Sequence, residues 1–178
     1  MKKNLKSYIP GTILAIAIFG NAHAQSLKIQ KEPVFNSSFK EVAISEPAKT
    51  SLSLAEVNAK ALKNFTQSFK ETFNVAWFKA TDGGFVARFK KDDIETRVNY
   101  DSKGRHTSTI SSYTEKNLPK EVRHLVKSKY YDYSIFWVDE VTVDDKTAYL
   151  VKIEDEKTFM TIRVIDGEMD IYQSFIKG

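Results

Sequence analysis

The 178-residue chain contains no cysteine, and glycine and proline are scarce, at seven and four residues. The absence of cysteine excludes a disulfide framework, a thiolate metal site and a cysteine nucleophile. Twelve Phe, eight Tyr and two Trp argue against a disordered or low-complexity chain. The hydrophobic content of 42% and the charged content of 28% are typical of a globular protein with a core.

Motifs that would indicate catalysis or metal binding are also missing. After residue 24 there are only two histidines, His106 and His124, and neither belongs to an HExxH or His-x-His pattern. GxSxG, GxGxxG and P-loop patterns are absent. The acidic pairs at 92–93 and 144–145 and the acidic run 154–156 lack the ligand spacing and glycine of a calcium loop, so we interpret them as turns. We therefore expect no enzyme, no cofactor and no metal site.

The first 24 residues have the pattern of an export signal. A lysine-rich start precedes an apolar stretch from Tyr8 to Phe19, and Ala22-His23-Ala24 follows. Twelve apolar residues are fewer than the ~17–25 that a membrane-spanning helix needs, which favours a cleaved signal over an uncleaved anchor. We predict cleavage after Ala24 and a periplasmic or secreted mature chain, 25–178.

Removal of this signal changes the charge balance. It carries three of the 27 basic residues and no acidic residue, which leaves 24 basic against 23 acidic residues, a net charge of +1. A near-neutral chain lacks the concentrated basic surface of a nucleic-acid-binding protein. No later segment is apolar and long enough to span a bilayer. The expected partner is an exported or envelope protein.

Residues 25–52 show neither helical nor strand periodicity, and we interpret them as a linker or N-terminal arm. Ser53-Leu54-Ala55-Glu56 is a capping-box pattern. Apolar residues then recur at helical spacing as far as Phe73, which predicts one amphipathic helix of about five turns.

Eight β-rich runs follow in two groups of four, separated by Asp- and Gly-containing turns. The predicted strands are Val75–Ala80, Phe85–Lys90, Ile94–Tyr100, Arg105–Ser111, Ile135–Val143, Thr147–Ile153, Thr158–Ile165 and Glu168–Ile176. A second helix is predicted between the groups; it opens at Asn117-Leu118-Pro119-Lys120, and its apolar stripe runs from Leu118 to Tyr130.

The two groups match by element, since Phe65, Phe69 and Phe73 correspond to Val122, Val126 and Tyr130. The pattern predicts an α+β fold, a tandem repeat of two α-β4 units at 53–112 and 113–178. A single unit of this size is marginal alone, so we expect two units that share a core or join edge to edge in one antiparallel sheet, with both helices packed on one face. The other face, called the open face here, is the candidate functional surface.

The helix, the aromatic strand and the run FVARFKKDDIETRVNYDSKG, together with Leu118-Pro119, Asp82-Gly83 and Asp166-Gly167, carry a family resemblance. Over about 56–178 the chain resembles the PepSY-like family of β-lactamase-inhibitor-like exported bacterial proteins. The resemblance implies tandem α-β4 units with helices on one side of the sheet. In the better-known β-lactamase inhibitor proteins, the concave sheet face and hairpin loops grip the target enzyme.

Aromatic residues framed by basic ones are the candidate partner-binding residues, because such residues anchor protein interfaces. If Ala76, Phe78 and Ala80 face the helix, Trp77 points to the open face. The alternative is that the rings pack into the core or at the repeat junction. The candidates are Trp77, Arg88, Arg97, His106, Trp137 and Tyr172.

These observations favour a non-enzymatic periplasmic or secreted binding module that docks a protein on the open face, with inhibition of an exported enzyme as one such role. The alternative is a small-molecule carrier or sensor whose pocket lies between helices and sheet. Phe65, Phe69, Phe85 and Phe89 would line that pocket.

Overall fold

The computed structural model describes residues 50–178, in which eight strands form one antiparallel sheet. The strands are neighbours in the order of the sequence, so the sheet is a continuous meander. Their bounds are β1 Ala76–Lys79, β2 Phe85–Lys91, β3 Ile94–Tyr100, β4 His106–Tyr113, β5 Ser134–Val143, β6 Lys146–Glu154, β7 Thr158–Ile165 and β8 Glu168–Ile176. All eight predicted strands are confirmed, with ends that differ by at most two residues.

The strand ends are set by turns with left-handed backbone angles. Asp92 and Asp93, and likewise Asp144 and Asp145, have positive φ values of 45–63°, and Gly167 has φ 80°. Asp and Gly tolerate this region best, which is why two-residue hairpins concentrate them. The sequence pattern therefore located the hairpins correctly.

Two helices of ten residues each precede the two groups of strands: α1 is Ala59–Ser68 and α2 is Lys120–Lys129. The predicted five-turn helix is wrong at both ends. The capping box at Ser53 and Glu56 does form, but it closes a separate short 3-10 helix, and α1 begins only after Asn58, whose side chain accepts from the Lys60 amide at 2.9 Å. Glu71 and Asn74 have positive φ, so the chain has left the helix before Phe73.

The predicted tandem repeat of two α-β4 units with helices packed on one face is wrong. Strands β4 and β5 pair directly, from Thr109 with Thr142 to Tyr113 with Val138, so a single eight-stranded sheet dominates the fold. The proposed match between Phe73 and Tyr130 also fails, because Phe73 is 79% exposed whereas Tyr130 packs against Tyr133. The division of the chain at residue 112 stays a prediction.

Most of the core lies on one face of the sheet, in two clusters. Ala61 and Phe65 of α1 are buried with strand residues that include Trp77, Ala87 and Val98. Val126 of α2 is buried with Val138, Val151, Ile153, Ile162 and others. Each helix therefore supplies only one or two fully buried side chains, and strand side chains make most of the core.

The β3–β4 turn packs against the start of α1. Gly104 has φ +74°, and a Cβ there would lie 2.5 Å from Asn58 Oδ1. Only glycine fits that contact without displacing the cap of α1.

The structure describes most of the chain but not its beginning. The predicted signal, its cleavage after Ala24 and the arm up to residue 49 lie outside the described residues. Within residues 50–178, no helix is both long and apolar enough to cross a bilayer.

Candidate functional site

The strand register assigns every side chain to one of the two sheet faces, because neighbours along a strand alternate. Trp77 pairs with Ala87 and Ala87 with Val98, and all three lie under α1. Arg88 pairs with Arg97, one position along, so both lie on the other, open face. Following the same rows through β5 places Val138 on the helix face and Asp139 on the open face.

Trp77 lies on the helix face of the sheet and not on the open face. It is 2% exposed, and its ring lies 5.4 Å from Phe65 and 5.8 Å from Tyr100, measured between centroids. The predicted orientation of Trp77 toward the open face is therefore wrong. Ala76 and Phe78 point away from the helices instead, because Phe65 of α1 packs on Trp77 and neighbouring side chains of a strand point to opposite faces.

His106 is also directed to the helix side. Its ring contacts the Tyr100 ring at 5.9 Å, and Nε2 lies 2.9 Å from Thr109 Oγ1. Burial lowers the pKa of His106, while a backbone hydrogen bond at Ser108 and the charge of Asp144 act in the opposite direction. The register shift at Asn99/Tyr100 places His106 opposite Tyr100 and so moves it off the open face.

Arg88 and Arg97 do lie on the open face, but at a distance from the other candidates. The Arg88 guanidinium lies 5.4 Å from the centre of the Phe78 ring, and Arg97 Nε donates to Asn99 Oδ1 at 3.1 Å. Their strands, β2 and β3, are separated from β5 by at least one further strand, and strands in a sheet are ~4.8 Å apart. The structure does not bring these arginines next to Trp137 or Tyr172.

Trp137 belongs to a polar network in the middle of the open face. The Asp139 carboxylate accepts from Ser112 Oγ at 2.6 Å and from Trp137 Nε1 at 3.2 Å, and its Oδ2 lies 2.8 Å from Lys152 Nζ. Three neighbouring strands thereby fix the orientation of the indole. Trp137 is only half-buried, so its ring is held in place and still accessible.

An aromatic cluster that sequence reasoning missed lies beside this network. We call Phe136, Phe159 and Phe175 the aromatic cluster; they are 41%, 40% and 53% exposed. The Phe136 and Phe159 rings meet edge to face at 6.0 Å, and Phe159 pairs with Phe175 across β7 and β8. Two exposed rings in contact, with a third on the paired residue of the next strand, form an apolar patch that a solvated surface does not explain.

A bulge in β5 creates the cluster. The register shifts between Ile135 and Trp137, so Phe136 is an extra residue that points to the same face as Trp137. Strict alternation would have placed Phe136 on the opposite face. The signal for it in the sequence was the presence of two consecutive aromatic residues, Phe136 and Trp137, within a predicted strand.

Charged groups frame the aromatic cluster. Lys177 Nζ lies 4.2 Å from the centre of the Phe159 ring and 2.8 Å from Glu154 Oε2. The backbone amides of Lys157 and Thr158 donate hydrogen bonds to the Asp155 carboxylate and hold its pKa below the usual value. These hydrogen bonds also fix the hairpin that carries Phe159.

Tyr172 lies on the same face, at a second bulge. The register shifts between Thr161 and Ile162, and Tyr172 falls in the gap, 58% exposed. The Arg163 guanidinium lies 5.6 Å from the centre of its ring and pairs with Asp170 through two hydrogen bonds of 2.9 and 2.5 Å. Of the six sequence candidates, Trp137 and Tyr172 therefore share the β5–β8 part of the open face.

The open face is not uniformly exposed. Val86, Val141, Ala148 and Ile165 belong to it and are at most 9% exposed. The accessible part is therefore the end that holds Trp137, Tyr172 and the aromatic cluster. We call these five aromatic residues, with Lys152 and Asp139, the candidate binding surface.

The phenylalanines proposed to line a carrier pocket contact one another instead. Phe65 lies 5.1 Å from Phe69 and 5.7 Å from Phe89, and Phe69 lies 5.5 Å from Phe89. Phe85 is buried in the same cluster. These rings fill the space between α1 and the sheet.

In the part of the chain that the structure describes, no three His, Asp or Glu side chains converge as a metal site would require. The pair formed by the Tyr113 hydroxyl and the Glu140 carboxylate, 2.5 Å apart on the helix face, is a structural hydrogen bond. Burial, and then this hydrogen bond, raise the pKa of Tyr113, which favours its neutral form.

The fold is shared with solved structures from Bacteroides. A DUF2874 family protein of Bacteroides ovatus matches with a TM-score of 0.55 at 13% identity, over 67% of this chain and 87% of that one. A BLIP-like protein of Bacteroides fragilis matches with a TM-score of 0.55 at 15% identity, over 67% and 86%. A Bacteroides eggerthii protein described as a candidate periplasmic protein matches with a TM-score of 0.53 at 14% identity, over 67% and 88%.

At these identities the likeness shows a common fold and nothing finer. No protein-family model matches the chain, and no curated protein matches it either. The resemblance is thus supported only as a fold shared with solved proteins, one of which is described as BLIP-like, and nothing supports its PepSY-like part.

Proposed function

We propose that the chain is a non-enzymatic binding protein of the periplasm or cell exterior, which docks another exported protein on the candidate binding surface. The observation that carries this proposal is the clustering of Phe136, Phe159 and Phe175 beside Trp137. Large exposed rings that a sheet holds rigidly are what a protein interface uses as anchors, since they lose little entropy on binding.

The distribution of charge supports a protein partner. Lys152 with Asp139, and Arg163 with Asp170, form half-exposed pairs of both signs around the rings. An apolar centre with a mixed polar rim is typical of specific protein interfaces. A nucleic acid would instead require clustered, unpaired basic groups.

Inhibition of an exported enzyme is the role that the BLIP-like neighbour suggests. A β-sheet that presents fixed aromatic side chains can cover an active-site entrance without changing shape. Its reorganisation on binding therefore costs little free energy. The protein would act by occupying that entrance, and it needs no chemistry of its own.

The test begins with site-specific photo-crosslinking in the periplasm of the native host. A photoreactive residue replaces Thr161, on the open face, and in a control strain it replaces Ser128, on the outer side of α2. We expect one protein to be captured from position 161 and not from position 128. Equal capture from both positions, or none from 161, would overturn the proposal.

The captured protein is then purified and titrated with the chain. A Phe159→Ala variant should weaken binding roughly 30-fold, the effect of losing a moderate interface anchor, while Phe73→Ala should change it less than about twofold. If the captured protein is an enzyme, its activity is measured in the same titration, and unchanged activity at saturation rejects inhibition while leaving the docking surface in place.

A further inference from the structure

Strand β8 forms one edge of the sheet and is exposed along almost its whole length. Eight of its nine residues are exposed, and Met169 is half-buried. Four large apolar or aromatic side chains lie in it: Ile171, Tyr172, Phe175 and Ile176, with exposed fractions of 51–73%. An edge of this kind presents a row of backbone donors and acceptors next to apolar side chains.

The opposite edge is protected, whereas within residues 50–178 no strand or bridge pairs with the outer edge of β8. Strand β1 has only four residues, and Leu52 covers it with a backbone hydrogen bond of 2.7 Å from Leu52 N to Trp77 O. Natural edge strands are usually short or carry lysine or proline. Strand β8 contains neither residue between Glu168 and Ile176 and extends over ~30 Å.

We propose that β8 pairs antiparallel with β8 of a second copy of this chain, about a two-fold axis between Tyr172 and Gln173. Glu168 then lies opposite the partner's Lys177, and Met169 lies opposite the partner's Ile176. Asp170 faces the partner's Phe175, and Ile171 faces the partner's Ser174. Backbone hydrogen bonds would continue the sheet across both copies.

The bulge at Tyr172 selects this register. Glu168 and Asp170 lie on the open face, and because Tyr172 is an extra residue, Gln173 and Phe175 lie on that face as well. An axis between Tyr172 and Gln173 therefore places every side chain opposite one of its own face. An axis elsewhere pairs side chains of opposite faces over part of β8, or leaves half of the strand unpaired.

The charges agree with a second copy as the occupant. Strand β8 is acidic at its start, at Glu168 and Asp170, and Lys177 follows its end. Antiparallel self-pairing brings the acidic start of one strand beside the basic end of the other, whereas a parallel arrangement would put like charges together. Tyr172 and Phe175 belong both to β8 and to the candidate binding surface, but pairing of β8 depends on its free backbone edge, its bulge and its end charges, so this inference does not rest on the proposed function.

Cysteine crosslinking tests the register directly, since the chain has no cysteine of its own. In an Ile171→Cys/Ser174→Cys variant each cysteine should face its counterpart in the second copy and form a disulfide-linked dimer on mild oxidation. Within one chain these positions are ~10 Å apart along the strand, too far for a bridge. The matched control, Ile171→Cys/Phe175→Cys, has cysteines on opposite faces and should stay monomeric.

Sedimentation of the unmodified mature chain provides the second measurement. We expect a reversible dimer with a dissociation constant below ~100 µM, a value that specific complexes ordinarily reach. Ile171→Lys should abolish it and Leu54→Lys, on an exposed side chain far from β8 in the sequence, should not. A chain that is monomeric up to that concentration, or a control pair that crosslinks as fast as the 171/174 pair, overturns the proposal.

Discussion

Asp139 Oδ2 lies 2.8 Å from Lys152 Nζ across β5 and β6, and the same carboxylate accepts from Ser112 and Trp137. The ion pair is partly exposed, and such a pair alone contributes little to stability. Its structural effect comes from the three partners together, because they hold the Trp137 indole in one orientation. The candidate binding surface is therefore organised before any partner arrives.

Removal of this carboxylate should cost stability as well as order. Asp139→Ala leaves a half-buried hydroxyl, an indole N–H and an ammonium group without their acceptor. We expect the free energy of unfolding to fall by about 1–3 kcal/mol, as for other lost hydrogen bonds to charged groups. Urea unfolding measures it. The control is Asp170→Ala, which removes an exposed carboxylate paired with Arg163 and should lower the free energy of unfolding by less. An equal loss in both variants would contradict the role of Asp139 as the common acceptor of three side chains.

The two tryptophans should differ sharply in fluorescence. A Trp137→Phe variant keeps only Trp77, which is 2% exposed, and should emit at short wavelength with little quenching by acrylamide. A Trp77→Phe variant keeps only half-buried Trp137, and its emission should be red-shifted and readily quenched. Equal quenching of both variants would show that the assignment of the two sheet faces is wrong.

Loss of the hydroxyl from two buried tyrosines should change the free energy of unfolding in opposite directions. The Tyr100 hydroxyl is buried and has no hydrogen-bond partner among residues 50–178, whereas that of Tyr113 donates to Glu140 at 2.5 Å. Tyr100→Phe should therefore raise the free energy of unfolding by about 1 kcal/mol, and Tyr113→Phe should lower it by about 1–2 kcal/mol. Thermal and urea unfolding of the pair provide the measurement, and a loss of stability in Tyr100→Phe would contradict the described packing.

His106 should make the protein less stable in mild acid. Burial holds its pKa below the usual 6.5, so between the lowered pKa and 6.5 the unfolded chain binds more protons than the folded one. Stability contributed by the neutral ring is thus present above pH 6.5 and is lost as the pH falls below it. Unfolding measured from pH 7.5 to 5 should show a smaller decline in His106→Gln than in the parent, and an identical decline would contradict this assignment.

Much of the fold followed from local signals. Asp and Gly residues mark the hairpins, and apolar and polar residues alternate between them. Together these features predict where strands begin and end, without knowledge of tertiary contacts. The pairing of β4 with β5 could not be predicted from such local signals. The helix α2 separates them in the sequence, so only the folded sheet shows that they are neighbours.

The candidate binding surface was predictable only in part. Trp77 has apolar neighbours on both sides, Ala76 and Phe78, so alternation could not tell which face α1 covers. The aromatic cluster depends on the bulge at Phe136, which alternation cannot reveal either. Trp137 and Tyr172 were predicted only as outer positions analogous to the one assigned to Trp77, and for Tyr172 it is a bulge, which alternation does not reveal, that determines its face.

The central claim is that the β5–β8 end of the open face binds an exported protein. The most direct measurement is the affinity of the purified, crosslink-identified partner for a Trp137→Ala/Phe159→Ala variant. The comparison is a Phe73→Ala/Leu54→Ala variant, which removes two apolar side chains that are more exposed and lie outside this surface. We predict that the first variant loses binding by at least ~100-fold while its thermal unfolding stays cooperative, and that the second binds like the parent. Unchanged affinity in the first variant, or equal losses in both, would contradict the account.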